Sequence, residues 1–178
     1  RIPIPTGIDG LDDLLEGGIG RGELAMILAP TGVGKSTVLS KFANTACNTG
    51  HNVVQIFMED TPQQIRQKHI TVWSGLSAKE QLLNEENKQF AITKYKEAVA
   101  RETFGHLKMI KMVNGGTTIS DIRRKLLKLQ SQGFKIDILV LDYIDCLIPE
   151  RGGRGFDEEW KGEGGIIRQL DSLASEFD

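Results

Sequence analysis

Nothing in this chain narrows its fold more than the run Ala29-Pro30-Thr31-Gly32-Val33-Gly34-Lys35-Ser36, set directly behind the apolar stretch Leu24-Ala25-Met26-Ile27-Leu28. A buried strand, a glycine-punctuated turn and the start of a helix, in that order, form the setting of a phosphate-binding loop. Gly32 and Gly34 permit a turn tight enough for successive N–H groups to converge on one concavity. A helix opening near Gly34 adds unpaired N–H donors and the positive end of its dipole. In such a loop the Lys35 ammonium reaches the β- and γ-phosphates of a nucleoside triphosphate, and the Ser36 hydroxyl ligates Mg²⁺. The expected nucleotide-binding residues are therefore Ala29, Pro30, Thr31, Gly32, Val33, Gly34, Lys35, Ser36 and Thr37. Ala29 stands where the general GxxxxGK[ST] pattern carries Gly, and its methyl group is tolerated wherever φ stays negative.

The rest of the composition fits one soluble domain. The chain has 178 residues, 39% of them hydrophobic and 26% charged, enough for a sizeable core. Its longest wholly apolar run, Leu24 to Ala29, is far too short to span a membrane. A net charge of −2 gives no global attraction to nucleic acid, so any such contact must come from local basic elements. Cys47 and Cys146 lack metal or redox spacing and read as core thiols of a reducing cytoplasm. His51, His69 and His106 are scattered, with no ligand partner at helical spacing. The chain opens on Arg1 and stops at Asp178, and we read it as a fragment of a larger protein.

Along the chain, Ile8 to Leu15 reads as a short helix capped by Thr6 or Asp9, and Leu24 to Leu28 as the first strand. A helix from Gly34 to about Asn48 connects this strand to a second one, Val53 to Phe57, as a parallel βαβ unit. Pro62 opens a helix reaching about Trp73. A polar helix from Ala78 to about Arg101 follows, with Leu83, Phe90, Ala91, Tyr95, Ala98 and Val99 as a thin apolar stripe. Leu107 to Val113 is a third strand. Thr118-x-x-Asp121 has the form of a capping box, opening a helix with Ile119, Ile122, Leu126 and Leu129 on one face. Ile136 to Tyr143 is a fourth strand, and Asp157 to Phe177 is largely helical. Alternating strands and helices with continuous apolar strands give an α/β fold, a parallel sheet covered by helices on both faces.

Two acids complete the candidate site. A hydrophobic run ending in Asp, Ile138-Leu139-Val140-Leu141-Asp142, matches the Walker B pattern and supplies a second group, beside Ser36, for Mg²⁺. Glu59, just past the second strand, leaves a parallel sheet at the same edge as Asp142, which makes it the candidate general base for water. Lys35 and Glu59 are thus the expected catalytic pair. Asp60 is a second acid beside Glu59, and Thr61 is placed to cap the helix at Pro62.

A glutamate after the second strand, rather than beside the Walker B Asp, resembles the RecA-like P-loop ATPases. Within them, several segments are similar to the DnaB-type replicative helicases of bacteria and phages. Thr6-Gly7-Ile8-Asp9-Gly10-Leu11-Asp12, Gly17-Gly18-Ile19 and Gly22-Glu23-Leu24 look like that family's lead-in to its phosphate loop, in which an Ala at the place of Ala29 is common. Phe57-Met58-Glu59-Asp60 resembles its Ser-Leu-Glu-Met segment, Asp142-Tyr143-Ile144 its Walker B stretch, and Ile167 to Phe177 the helix before its fifth strand. The same lead-in and Glu59-Asp60-Thr61-Pro62 are also similar to the KaiC and RadA-like ATPases.

The resemblance implies a RecA-like motor domain over residues 1–178, C-terminally incomplete, with its last strands, trans arginine and sensor motif beyond Asp178. It implies an ATPase and DNA helicase using ATP and Mg²⁺, assembled as a homo-hexamer and translocating on single-stranded DNA. Weak hydrolysis by the fragment alone, a primase or helicase loader as partner, no membrane, and a bacterial cytoplasmic location, in a cell or from a phage or prophage, go with it. The alternative is a KaiC/RadA-type ATPase acting in regulation or recombination without unwinding. A small-molecule P-loop kinase is disfavoured, since no lid or second-substrate signature is present. For DNA, Arg151-Gly152-Gly153-Arg154-Gly155 with Lys161 is a suitable basic loop. Glu150, Asp157, Glu158 and Glu159 offset its charge, which leaves a solvated loop as the other reading.

Overall fold

Five consecutive buried residues, Val53-Val54-Gln55-Ile56-Phe57, form the central strand β1 (Val53–Phe57), flanked on both edges and covered on both faces. The computed structural model describes residues 2–30, 32–149 and 163–177. Strands β2 (Leu107–Lys111) and β3 (Ile138–Asp142) pair with β1 in parallel, in the order β2-β1-β3. Register partners Phe57 and Lys111 on one side, and Phe57 and Asp142 on the other, bring the three strands to a common C-terminal edge.

Alternation along β1 sends its side chains to two separate cores. Val53 meets Ala43, Ala46 and Cys47 of α2 (Lys35–Asn48), with Val140 and Ile4. Those three small residues are fully buried, which lets the helix lie close on the sheet. Val54, Ile56 and Met58 face the opposite layer, made by Ile119, Ile122 and Leu126 of α6 (Ile119–Ser131) and Ile166, Leu170 and Leu173 of α7 (Glu163–Glu176). Each fully buried Ile or Phe on this sheet contributes about 2 kcal/mol of transfer free energy. Helices α3 (Pro62–Ser74) and α5 (Glu85–Val99) extend the α2 side outward.

Local signals place the helix starts. Thr61 accepts the Gln64 N–H while the Gln64 side chain accepts the Thr61 N–H, a complete capping box in front of Pro62. The Thr118 and Asp121 box is formed as its spacing predicts, and its bonds to Thr118 hold the Asp121 carboxyl down at about 2. At α1 (Asp9–Leu14) the expected cap is not made: Ile8 is the N-cap residue, with no side-chain bond. The Asp12 carboxylate instead accepts from the Thr6 N–H, the Thr6 hydroxyl and the Gly7 N–H at 2.7–3.0 Å.

Two further expectations need correction. Residues 24–28 form no strand: Leu24 and Met26 are exposed, and Leu28 is 85% exposed. The segment lies along β3 across a cavity of about 360 Å³ lined by Leu24, Ile27, Leu139, Leu141, Leu170 and Leu173. Its side chains border this apolar space while its backbone joins no ladder, and a strand requires the ladder. The continuous helix expected from Ala78 to Arg101 is two helices, α4 (Ala78–Gln81) and α5, because Asn84 stops the chain by capping α5 through the Asn87 N–H. Leu83 therefore falls in the break and is exposed, while Ala91 and Ala98 carry the buried face.

Candidate functional site

The glycines of the phosphate loop adopt the conformation that the pattern demands. Gly32 has φ 84° and Gly34 φ 100°, both left-handed. A Cβ at either position would meet open space, so backbone conformation and not crowding requires glycine there. Gly34 is the N-cap of α2, with no side-chain cap. The ladder begins with the Thr37 and Val38 N–H groups, both donating to the Gly34 carbonyl. The helix itself therefore makes no use of the Lys35 and Ser36 N–H groups, which are left to an outside acceptor. A donor pair at a positive helix end suits a polyphosphate.

Asp142 closes β3 and is 6% exposed, its backbone carbonyl accepting the Met58 N–H at 3.1 Å. Glu59 follows one residue later on β1's exit and is exposed. The residue between the two halves of the site is Tyr143, joined to Asp142 by a cis peptide bond. The Lys35 ammonium stands over its ring, 5.5 Å from the centroid. Its phenol is raised above the ordinary value first by the hydrogen bond with Cys146, then by the negative charges of Cys146, Glu59 and Asp145. Lys35 thus meets the ring, and the Glu59 charge is felt at the hydroxyl. Sequence reasoning assigned Tyr143 no role; its place directly after the buried Asp was the available signal.

Ala29, Lys35, Asp142, Tyr143 and Asp145 line the end of the cavity beside β3. Thr37 and Asp60 share a second cavity of about 340 Å³ with Gln64, Lys68 and Thr71. Asp60 is tied to Lys68 by a salt bridge, which occupies it and leaves Glu59 as the acid available at this edge. Among the described residues no group of three His, Cys, Asp or Glu could cage a metal. A Mg²⁺ ion fits this donor set nonetheless, since it keeps several waters and is bound mainly through one or two protein oxygens and substrate phosphates. Thr31 of the loop, and Arg151, Arg154 and Lys161 of the basic segment, lie outside the described residues.

Behind the loop, α2, α3 and β1 are joined by a polar cluster with almost no exposure to water. His69 is fully buried, its Nδ1 2.8 Å from Asn44 Oδ1 and its Nε2 2.8 Å from the Gln55 side-chain oxygen position. Burial pushes its pKa down to about 4, so the ring is neutral and owns one N–H. The Nδ1–H then donates to Asn44. Gln55, whose Nε2 has no other partner, completes the cluster by turning its amide to donate to Nε2. Cys47 and Cys146 are buried free thiols, as expected, and burial pushes Cys47 up to about 12.

A family model described as the DnaB-like helicase C terminal domain matches residues 3–178. Among solved structures, the ATPase domain of a related protein superposes with a TM-score of 0.79 at 18% identity, covering 99% of this chain and 61% of that one. A DnaB-like replicative helicase, solved with its interactions with primase, gives 0.76 at 19% identity, covering 99% of this chain and 41% of that one. At these identities the likeness is one of fold. The DNA repair protein RadA of Mycobacterium tuberculosis is 36% identical over 78 residues, 44% of this chain and 16% of that protein. The circadian clock protein KaiC2 of Synechocystis is 38% identical over 63 residues, 35% of this chain. The aligned stretches span only 11–16% of the length of these curated relatives.

Proposed function

This chain belongs to the DnaB-like helicase C-terminal domain family, and on that premise we propose that it is the ATP-hydrolysing motor domain of a hexameric replicative helicase that translocates on single-stranded DNA. The observation that supports this most is the parallel register of Phe57 with Asp142. Through it the candidate water-orienting acid, the candidate Mg²⁺ ligand and the lysine over Tyr143 share one sheet edge.

In this reading the loop from Ala29 to Thr37 binds ATP, its N–H groups and Lys35 holding the β- and γ-phosphate oxygens. Ser36 and Asp142 hold Mg²⁺ at those oxygens, where the ion neutralises charge that develops on phosphoryl transfer. Glu59 accepts a hydrogen bond from the attacking water and takes its proton as the water oxygen bonds to the γ-phosphorus. The bond to the β-γ bridging oxygen breaks, and ADP leaves with its electron pair. The basic segment with Arg151, Arg154 and Lys161 contacts the strand's phosphates, and a primase or helicase loader binds the assembled ring. The structural neighbour solved with its interactions with primase supports the first of these partners. No described helix is long and apolar enough to cross a membrane, and we assign the protein to the bacterial cytoplasm, as a cellular or phage product.

The testing experiment is the ATPase and duplex-unwinding rate of the full-length protein with and without single-stranded DNA, using Lys35→Ala as the blank. DNA-stimulated hydrolysis coupled to unwinding is expected. Hydrolysis without unwinding would transfer the assignment to the RadA and KaiC2 side of the superfamily, which matches less than half of this chain.

A further inference from the structure

Lys111 closes β2 at the same sheet edge from which Glu59 and Asp142 leave. It is in register with Phe57, and its ammonium lies 5.9 Å from the centroid of that ring. The four-carbon stem then carries Nζ beyond the end of β1. There it donates to three successive main-chain carbonyls, of Met58 at 2.5 Å, Glu59 at 3.1 Å and Asp60 at 2.9 Å. An ammonium has three donors and no acceptor, so one lysine spends its whole donor set on the peptide units around Glu59.

The arrangement answers a specific electrostatic need. Residues 58–60 form a bend outside the ladder, with three consecutive carbonyl oxygens turned towards one point. Their partial negative charges repel unless a cation sits between them, and charge-assisted bonds are the strong kind. On the strand side, the Met58 N–H donates to Asp142 at 3.1 Å and the Met112 N–H to Phe57 at 3.0 Å. The bend is thus held from both neighbouring strands, and Lys111 is the side chain that fixes its outer half.

We propose that Lys111 is a positioning residue for hydrolysis, one that holds the backbone bend aiming Glu59 and does not itself touch substrate. The inference rests on Glu59 being the group that orients the attacking water. Such a group must keep its place to within about 0.5 Å, so releasing three backbone tethers beside it lowers the chemical rate. Substrate binding, which belongs to the loop at α2, is left alone.

The test is made in the full-length protein. Lys111→Met keeps most of the stem and its packing on Phe57 but removes every donor. The expected result is a fall in kcat of about tenfold, with the Kd of a non-hydrolysable Mg-ATP analogue changed by less than about twofold. Lys111→Cys, alkylated with 2-bromoethylamine, rebuilds an ammonium at the original reach and is expected to recover the rate, against wild type treated identically. In a Glu59→Gln background, adding Lys111→Met is expected to cost no further residual rate, because it acts through Glu59.

An unchanged kcat in Lys111→Met, or an undiminished further loss in the Glu59→Gln background, overturns the proposal. Should Lys111→Met fail to fold, Lys111→Arg keeps the charge while its planar fork cannot converge on three carbonyls. The same fall in kcat is expected, and wild-type rate in that variant overturns the proposal. Full hydrolysis in Glu59→Gln alone would remove the role of Glu59 and this inference with it. A crippled Glu59→Gln beside a fully active Lys111→Met removes the inference only.

Discussion

The Lys35 ammonium rests over the ring of Tyr143, 5.5 Å from its centroid, so the lysine of the phosphate loop is held by the residue that follows the buried Asp142. The ring face attracts a cation with about 0.5–1 kcal/mol at a partly exposed site. Replacing Tyr143 by Leu is expected to weaken ATP binding about two- to fivefold, and Tyr143→Phe, which keeps the ring, is expected to bind normally. Calorimetric titration of both variants checks this. Equal affinities for Leu and Phe would show that the ring does nothing for Lys35.

Glu59→Gln keeps the size and the bend of residue 59 and removes its basicity. Single-turnover ATP hydrolysis is expected to fall by about 10²- to 10⁴-fold, the usual contribution of general base catalysis. Nucleotide affinity is expected to hold, because the loop donors on α2 are untouched. A parallel loss of affinity would place Glu59 in binding rather than in chemistry.

Asp142 is buried at the end of β3, where its carboxylate has little access to water. Asp142→Asn is expected to raise the Mg²⁺ concentration for half-maximal hydrolysis by about ten- to a hundredfold, with saturating Mg²⁺ restoring part of the rate. A magnesium titration at fixed ATP reads this directly. An unshifted midpoint would assign the ion to other oxygens.

His69 gives the fold a pH dependence whose sign follows from its burial. Its folded pKa is lowered to about 4, against an ordinary 6.5. Between those values the unfolded chain binds the extra proton and the folded chain does not, so stability rises with pH across that window. The contribution is complete above about pH 6.5 and is lost as pH falls towards 4; its size is at most about 3 kcal/mol. Urea unfolding of wild type and His69→Gln between pH 4 and 7 should show a shallower slope in the variant. Identical slopes would mean that the ring is protonated in the folded state.

Much of the site is legible residue by residue. Gly32, Gly34, Lys35 and Ser36 are neighbours in sequence, and the left-handed φ values needed at the two glycines are a local property that only glycine meets cheaply. The capping boxes at Thr61 and Thr118 are equally local, each closing over three residues. Strand β1 is found at Val53–Phe57 because a run rich in β-favouring residues leaves few other choices. Tyr143 and Lys111 were not legible. Their partners, Lys35 and the carbonyls of 58–60, lie 108 and 51–53 residues away, and no spacing rule links them.

The apolar run Leu24 to Leu28 draws the same line from the other side. By composition it reads as a strand, yet a strand is a set of hydrogen bonds to another segment, and the residues of 24–28 form none with β3. The sequence alone determined the phosphate loop, the α/β order and the identity of the two acids, because these depend on local backbone preference and on hydrophobic periodicity. The tertiary structure decided which side chains meet at the shared sheet edge. Parallel register brings Asp142 level with Phe57, and that alignment puts Glu59, Lys111, Tyr143 and Lys35 within reach of one another's chemistry.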